Sequence, residues 1–167
     1  MEFQLRPWTS TDLPALITYA NNWNIAKNLT NAFPHPYTKE NGEYFITMAT
    51  QAEPITIFAI DVQGEAIGAA GLHVQADIYE KNMELGYWLA EPFWGQGLMT
   101  RVVRQMVDYA FHTFPIARVY ARPFGNNLAS QKVLEKAGFN LDAKLVQTLF
   151  KNGEFIDEYI YSIRRPA

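Results

Sequence analysis

The chain has 167 residues, with 14 Lys and Arg against 17 Asp and Glu, so the formal charge is −3; 49% of it is hydrophobic and 14% aromatic. Such a composition builds a core, and the length suits one domain that buries roughly 70% of its unfolded surface. Mild acidity without a Lys/Arg block argues against a nucleic-acid partner, and no apolar run approaches the ~20 residues of a membrane span.

Cys is absent, which removes disulfides, thiolate nucleophiles and Cys-based metal sites together. His35, His73 and His112 lack metal-ligand spacing, so no metal is expected. Met1-Glu2-Phe3-Gln4-Leu5-Arg6 lacks the basic-then-apolar layout of a secretion signal, and the expected compartment is cytoplasmic.

Phe3, Leu5 and Trp8 alternate with polar residues and suggest a first strand. Ser10, Thr11 or Asp12 can cap a helix with Leu13, Leu16, Ile17 and Ala20 on one face, and Pro14 is tolerated at its start. Thr38 starts a second helix with Tyr44, Phe45 and Met48 as its stripe, and Pro54 stops it. Ile55–Val62, Ala66–Val74 and Met83–Leu89 read as three strands in a row, with turns at Gly64 and at Asp77–Asn82; Gly68 and Gly71 weaken the middle one.

The period then changes. Leu98, Met99, Val102, Val103, Met106, Val107 and Ala110 recur at spacings of three and four, the strongest helix signal in the chain. Ala117–Ala121 is a short strand, and Leu128–Ala137 a helix with Gly138 as its C-cap. Phe139–Phe150 and Phe155–Ile163 form a hairpin over Asn152-Gly153. A strand–helix–strand step requires a parallel pair. The expected fold is therefore mixed α/β in a single domain over 1–167: a mostly antiparallel twisted sheet of about seven strands, with about four helices on both faces.

The stretch Leu85-Gly86-Tyr87-Trp88-Leu89-Ala90-Glu91-Pro92-Phe93-Trp94-Gly95-Gln96-Gly97-Leu98-Met99-Thr100 runs from a strand through Gly-x-Gly into the longest helix. Two glycines let the backbone approach a ligand, and free N–H groups of the first helical turn point at the same spot, which suits a diphosphate. The Walker A pattern is absent. The Rossmann fingerprint fails because Thr100 stands where a third small residue belongs and no acidic residue follows at the end of the next strand. On spacing alone, a plain strand-to-helix turn remains the alternative.

Gly86-Tyr87-Trp88-Leu89, Trp94-Gly95-Gln96-Gly97, and Asn127-Leu128-Ala129-Ser130 followed by Val133-Leu134-Glu135-Lys136-Ala137-Gly138-Phe139 together resemble the GNAT acyltransferase superfamily, most closely the branch of ribosomal-protein N-terminal acetyltransferases. The resemblance extends from Pro34-His35-Pro36-Tyr37-Thr38 to the Lys151–Asp157 hairpin. It implies acetyl-CoA as donor, with the pantetheine arm slotted into a splayed parallel strand pair. Leu89 would offer backbone groups to the thioester arm, Trp94, Gly95, Gln96, Gly97, Leu98, Met99 and Thr100 would wrap the diphosphate, and Asn127 and Ser130 would line the arm. Two positions depart from the pattern: Pro92 replaces the Arg or Gln usual three residues before the first Gly, and Leu134 replaces a common Tyr acid. Main-chain donors tolerate the first change, and Ser130 becomes the candidate acid for the leaving thiolate.

Without Cys the economical route is direct attack of an amine on a thioester, which needs a base, a donor to the carbonyl oxygen and a proton for sulfur. Glu84 is the candidate base, on the side of its strand shared with Gly86 and Trp88; the competing account is a frayed-end Glu paired with a surface Lys. His73 is a second candidate, and His112 suits carbonyl capping at a helix end. Trp8, Trp23, Phe33 and Tyr37 fall where related folds carry an acceptor lid; core packing suits Trp8 and Phe33, and a lid role suits Trp23 and Tyr37. Arg118, Arg122 and Lys132 either meet the CoA 3′-phosphate or stay solvated.

The expected reaction is N-acetylation of a primary amine, on a protein N-terminus or a small molecule, by a monomer or homodimer. The competing reading is a catalytically silent CoA-binding sensor.

Overall fold

The computed structural model describes residues 1–166. They form two compact units, one of Met1–Gly71 with Tyr87–Leu98, the other of Leu72–Gly86 with the rest of the described chain from Met99.

In the first unit, β1 (Gln4–Arg6) runs antiparallel to β2 (Ile57–Val62), which runs antiparallel to β3 (Glu65–Val74); Leu5 faces Ile60, and Ile57 faces Gly71. Helices α1 (Leu13–Ala20), α2 (Trp23–Ala26) and α3 (Lys39–Ala49) lie between β1 and β2 in the chain. Pro14 occupies the first turn of α1, where a missing N–H costs nothing. Thr38 caps α3 in a box: its hydroxyl accepts from the Asn41 N–H, and the Asn41 side chain accepts from the Thr38 N–H. Leu16, Ala20, Ile46, Ile57, Ala59, Ala66 and Ala69 bury around Trp8 and Trp88. Gly68 is required by a close approach, since a Cβ there would lie 2.4 Å from the Trp88 carbonyl oxygen.

Two expectations change here. Trp8 does not extend the first strand, which ends at Arg6; it packs edge-on to Phe45 at 5.2 Å between ring centroids. Tyr37 is no lid residue. It is 5% exposed, tilted against Phe33 at 5.2 Å, and burial pushes its hydroxyl pKa up to about 12. Its polar sequence neighbours hid a core position.

In the second unit, β4 (Asn82–Leu89) begins and pairs in parallel with β5 (Arg118–Ala121) over Asn82↔Arg118 to Glu84↔Tyr120. β5 runs antiparallel to β7 (Glu154–Arg164), and β7 to β6 (Asn140–Lys151). The strand order is β1-β2-β3-β4-β5-β7-β6, an open mixed sheet of seven strands. Helix α4 (Leu98–Thr113) buries the whole apolar stripe read from the sequence. Helix α5 (Leu128–Ala137) ends at Gly138. Asn152 and Gly153 both take positive φ, 53° and 82°, the tight turn that the Asn-Gly pair predicts.

The structure has five α-helices among the described residues, one more than expected; the addition is the single turn α2. Among the described residues no helix is long and apolar enough to cross a membrane, and no group of three or more His, Asp or Glu could hold a metal ion.

Candidate active site

In the first unit, β4 ends at Leu89 and the chain makes one 3-10 turn, Glu91–Phe93, before the glycines. The Trp94 indole Nε1–H donates to the Leu89 carbonyl at 2.7 Å, and the Gln96 amide donates to the Pro92 carbonyl at 3.1 Å. These bonds fold the loop on itself. The Leu89 carbonyl, one of the backbone groups read from the sequence as a partner of the thioester arm, accepts the first of them and keeps a second lone pair.

Gly95 and Gly97 adopt φ of 73° and 71°, the left-handed region that side chains other than glycine's rarely enter. A Cβ built at either meets nothing within 4 Å. The loop therefore presents bare backbone to open space directly before α4, whose first-turn N–H groups have no partner within the helix. Leu98 and Met99 are buried and anchor that turn, while Thr100 is half-buried. Bare backbone before a helix start suits an anion, and the residues present fit a diphosphate.

In the second unit, Glu84 is half-buried. Its partner is not a surface Lys but Arg122, which donates from Nε to Oε1 at 3.0 Å and from Nη2 to Oε2 at 3.2 Å. The Tyr120 hydroxyl donates to Oε2 at 3.4 Å. Burial, and then the Glu84 charge, raises the Tyr120 pKa, while the Glu84 hydrogen bond raises that of Arg122. Parallel pairing places Tyr120 beside Glu84, so this pair follows from strand register.

Asn127 and Ser130 come together as a helix cap: the Asn127 side-chain oxygen accepts from the Ser130 N–H at 3.2 Å. Gln131, 8% exposed, ties the preceding turn by donating to the Phe124 and Gly125 carbonyls. The other candidates separate. His112 Nδ1 sits 2.7 Å from the Asp108 carbonyl, one turn back inside α4 and not among the last carbonyls of the helix. His73 is exposed, with Nε2 3.6 Å from a Cβ built at Gly86. Arg118 binds Asp142 and Asn82, and Arg122 binds Glu84 while its side chain stays 45% exposed. Lys132 is exposed. In the first unit, Phe33 packs on Trp88 at 5.8 Å, and Trp23 remains 46% exposed beside His35.

Sequence reasoning missed one feature entirely. Glu91 accepts from the Asn22 amide at 2.6 Å and from the Asn24 amide at 3.2 Å. No motif marks these residues.

A family model described as an acetyltransferase (GNAT) domain matches residues 2–140. YoaA of Bacillus subtilis (strain 168), an uncharacterized N-acetyltransferase, is 33% identical over 102 residues, 61% of this chain and 57% of that protein. Spermidine N(1)-acetyltransferase of Escherichia coli (strain K12) is 24% identical over 152 residues, 91% of this chain and 80% of that one. Among solved structures, RimL, a ribosomal-protein alpha-N-acetyltransferase in complex with coenzyme A, matches with a TM-score of 0.85 at 21% identity, over 97% of this chain and 93% of its own. At that identity the likeness is one of fold. The chain spans about half the length of the first curated relatives it matches, from 45% to 57%. On the family match, which covers residues 2–140, the chain belongs to the GNAT acetyltransferase domain family.

Proposed function

We propose that the chain, as one domain, is an acetyl-CoA-dependent N-acetyltransferase that moves the acetyl group directly to a primary amine. The observation that carries this reading is the bare, left-handed Gly95–Gly97 backbone opening onto the first turn of α4, in a chain of this family. Acetyl-CoA supplies the acetyl group as an activated thioester. The amides of Gly95 to Thr100, with Trp94 closing the loop, hold the diphosphate, and Asn127 and Ser130 line the CoA arm. Glu84 takes the ammonium proton. Arg122 fixes the carboxylate by two bonds and leaves Oε1 a second lone pair for that proton. Ser130 relays a proton to the departing thiolate: it gives up its hydroxyl proton and regains the second proton that the attacking nitrogen sheds, while Glu84 returns the first to solvent. The acceptor is a peptide N-terminal amine or a small amine, in keeping with relatives named for ribosomal-protein and spermidine acetylation.

The test is incubation with acetyl-CoA and a mixed panel of amines and peptides, with released thiol followed by a disulfide reagent; a chain without Cys gives no background. Acceptor-dependent release supports the reading. CoA binding without release from any acceptor identifies a silent CoA-binding module instead, and absence of CoA binding removes both.

A further inference from the structure

The loop between β4 and α4 is held from outside as well as from within. Glu91 opens its 3-10 turn and accepts three contacts from two amides, the shortest at 2.6 Å. Both amides have fixed orientations. Asn22 caps α2, its oxygen accepting from the Asn24 N–H at 2.8 Å, and the Asn24 oxygen accepts from Lys27 Nζ at 3.0 Å. Ile25 and Ala26 then bury α2 in the core of the same unit. The Asn22 amide first, and the Asn24 amide second, hold the Glu91 carboxyl below the usual carboxylate range. An exposed carboxylate so placed adds little to global stability, but it pins one end of a segment whose other end is two glycines with nothing beside them.

We propose that Glu91 is a positioning residue: through Asn22 and Asn24 it anchors the Glu91–Phe93 turn to α2 and holds the Gly95–Gly97 cradle open before a ligand arrives. The inference rests on the diphosphate reading above. Two glycines lose more backbone freedom on ordering than any other pair, and a loop ordered in advance spares the ligand that cost. The Trp94–Leu89 bond, downstream of the anchor, is the natural reporter.

Hydrogen exchange of the Trp94 indole N–H and of the Gly95 to Gly97 amides, in protein without ligand, decides the claim. Glu91→Ala is expected to speed exchange there by about tenfold, with β6 and β7 amides and the melting temperature unchanged. Glu91→Gln, which keeps an acceptor oxygen, recovers part of the protection. Asn22→Ser keeps the helix cap but loses the donor, and its effect should not add to that of Glu91→Ala, which already removes the contact that Asn22 makes. With desulfo-CoA, Glu91→Ala should weaken binding about tenfold while kcat at saturating acetyl-CoA stays within about twofold. Unchanged loop exchange in Glu91→Ala, or effects of the two variants that sum, overturns the proposal. Wild-type protein that fails to bind desulfo-CoA overturns the functional reading alone, because the exchange arm needs no ligand.

Discussion

Arg122 meets the Glu84 carboxylate side-on with two bonds, at 3.0 and 3.2 Å, while its Nη1 lies 3.4 Å from Glu158 Oε1. One guanidinium thus spans two carboxylates and sets the orientation of the proposed base. Glu84→Gln keeps the shape and one acceptor but removes the basic oxygen. Turnover should fall by about 100-fold, the size of a lost general base, with desulfo-CoA affinity within about twofold of wild type. Steady-state kinetics beside calorimetric titration checks this, and full-rate turnover ends the base role.

Gly97 sits at φ 71° with open space where a side chain would grow. Valine there carries left-handed strain of ~1–2 kcal/mol and places its branch in the cradle. Asparagine tolerates the same backbone. Gly97→Val should weaken desulfo-CoA binding at least about tenfold, and Gly97→Asn about threefold. Equal losses would assign the effect to blocked space and not to the strained backbone, because asparagine fills the cradle without the strain.

Arg6 joins two buried carboxylates, Asp12 Oδ1 at 2.8 Å and Asp61 Oδ2 at 2.7 Å. Arg6→Met leaves both without their cation and should cost about 3–5 kcal/mol in urea unfolding at neutral pH. Burial alone would raise the Asp12 pKa, but the hydrogen bonds from Arg6 and Thr9 outweigh it and the carboxyl titrates below its ordinary range. A depressed folded-state pKa gives stability that is present above about pH 4 and is lost as pH falls through the folded value. Asp12→Asn should therefore be less stable than wild type at neutral pH, and should lose stability less steeply on acidification below about pH 4. Parallel slopes in a melting series against pH would contradict the assignment.

Arg165 donates to the Phe111, Phe114 and Ile116 carbonyls at the end of α4 and lies over the Phe111 ring at 5.6 Å. It places a cation at the C-terminal end of the helix, which the helix dipole favours. Arg165→Ala should cost about 1 kcal/mol, or ~2–4 °C in melting temperature, and leave desulfo-CoA affinity unchanged. A thermal shift assay with and without desulfo-CoA measures both.

Much of the fold is legible in the chain itself. The α4 stripe, the Gly138 stop and the Asn152-Gly153 turn all depend on residues within a few positions of each other, where period and propensity act directly. Helix α2 is not legible, because one turn has no period; burial of Ile25 and Ala26 holds it. Tyr37 misleads because core positions are set by what lies opposite, not by what is adjacent in the chain.

Amino-acid order by itself determined where the four longer helices, the hairpin turn and the bare glycine backbone fall, since those follow from local sterics and from the free amides of a helix start. Only the tertiary structure decided the partners: Arg122 for Glu84, 38 residues away, and Asn22 for Glu91, 69 residues away. Such pairs are chosen by strand register and by packing around a buried helix, and no spacing in a linear chain records which polar group will be left facing which.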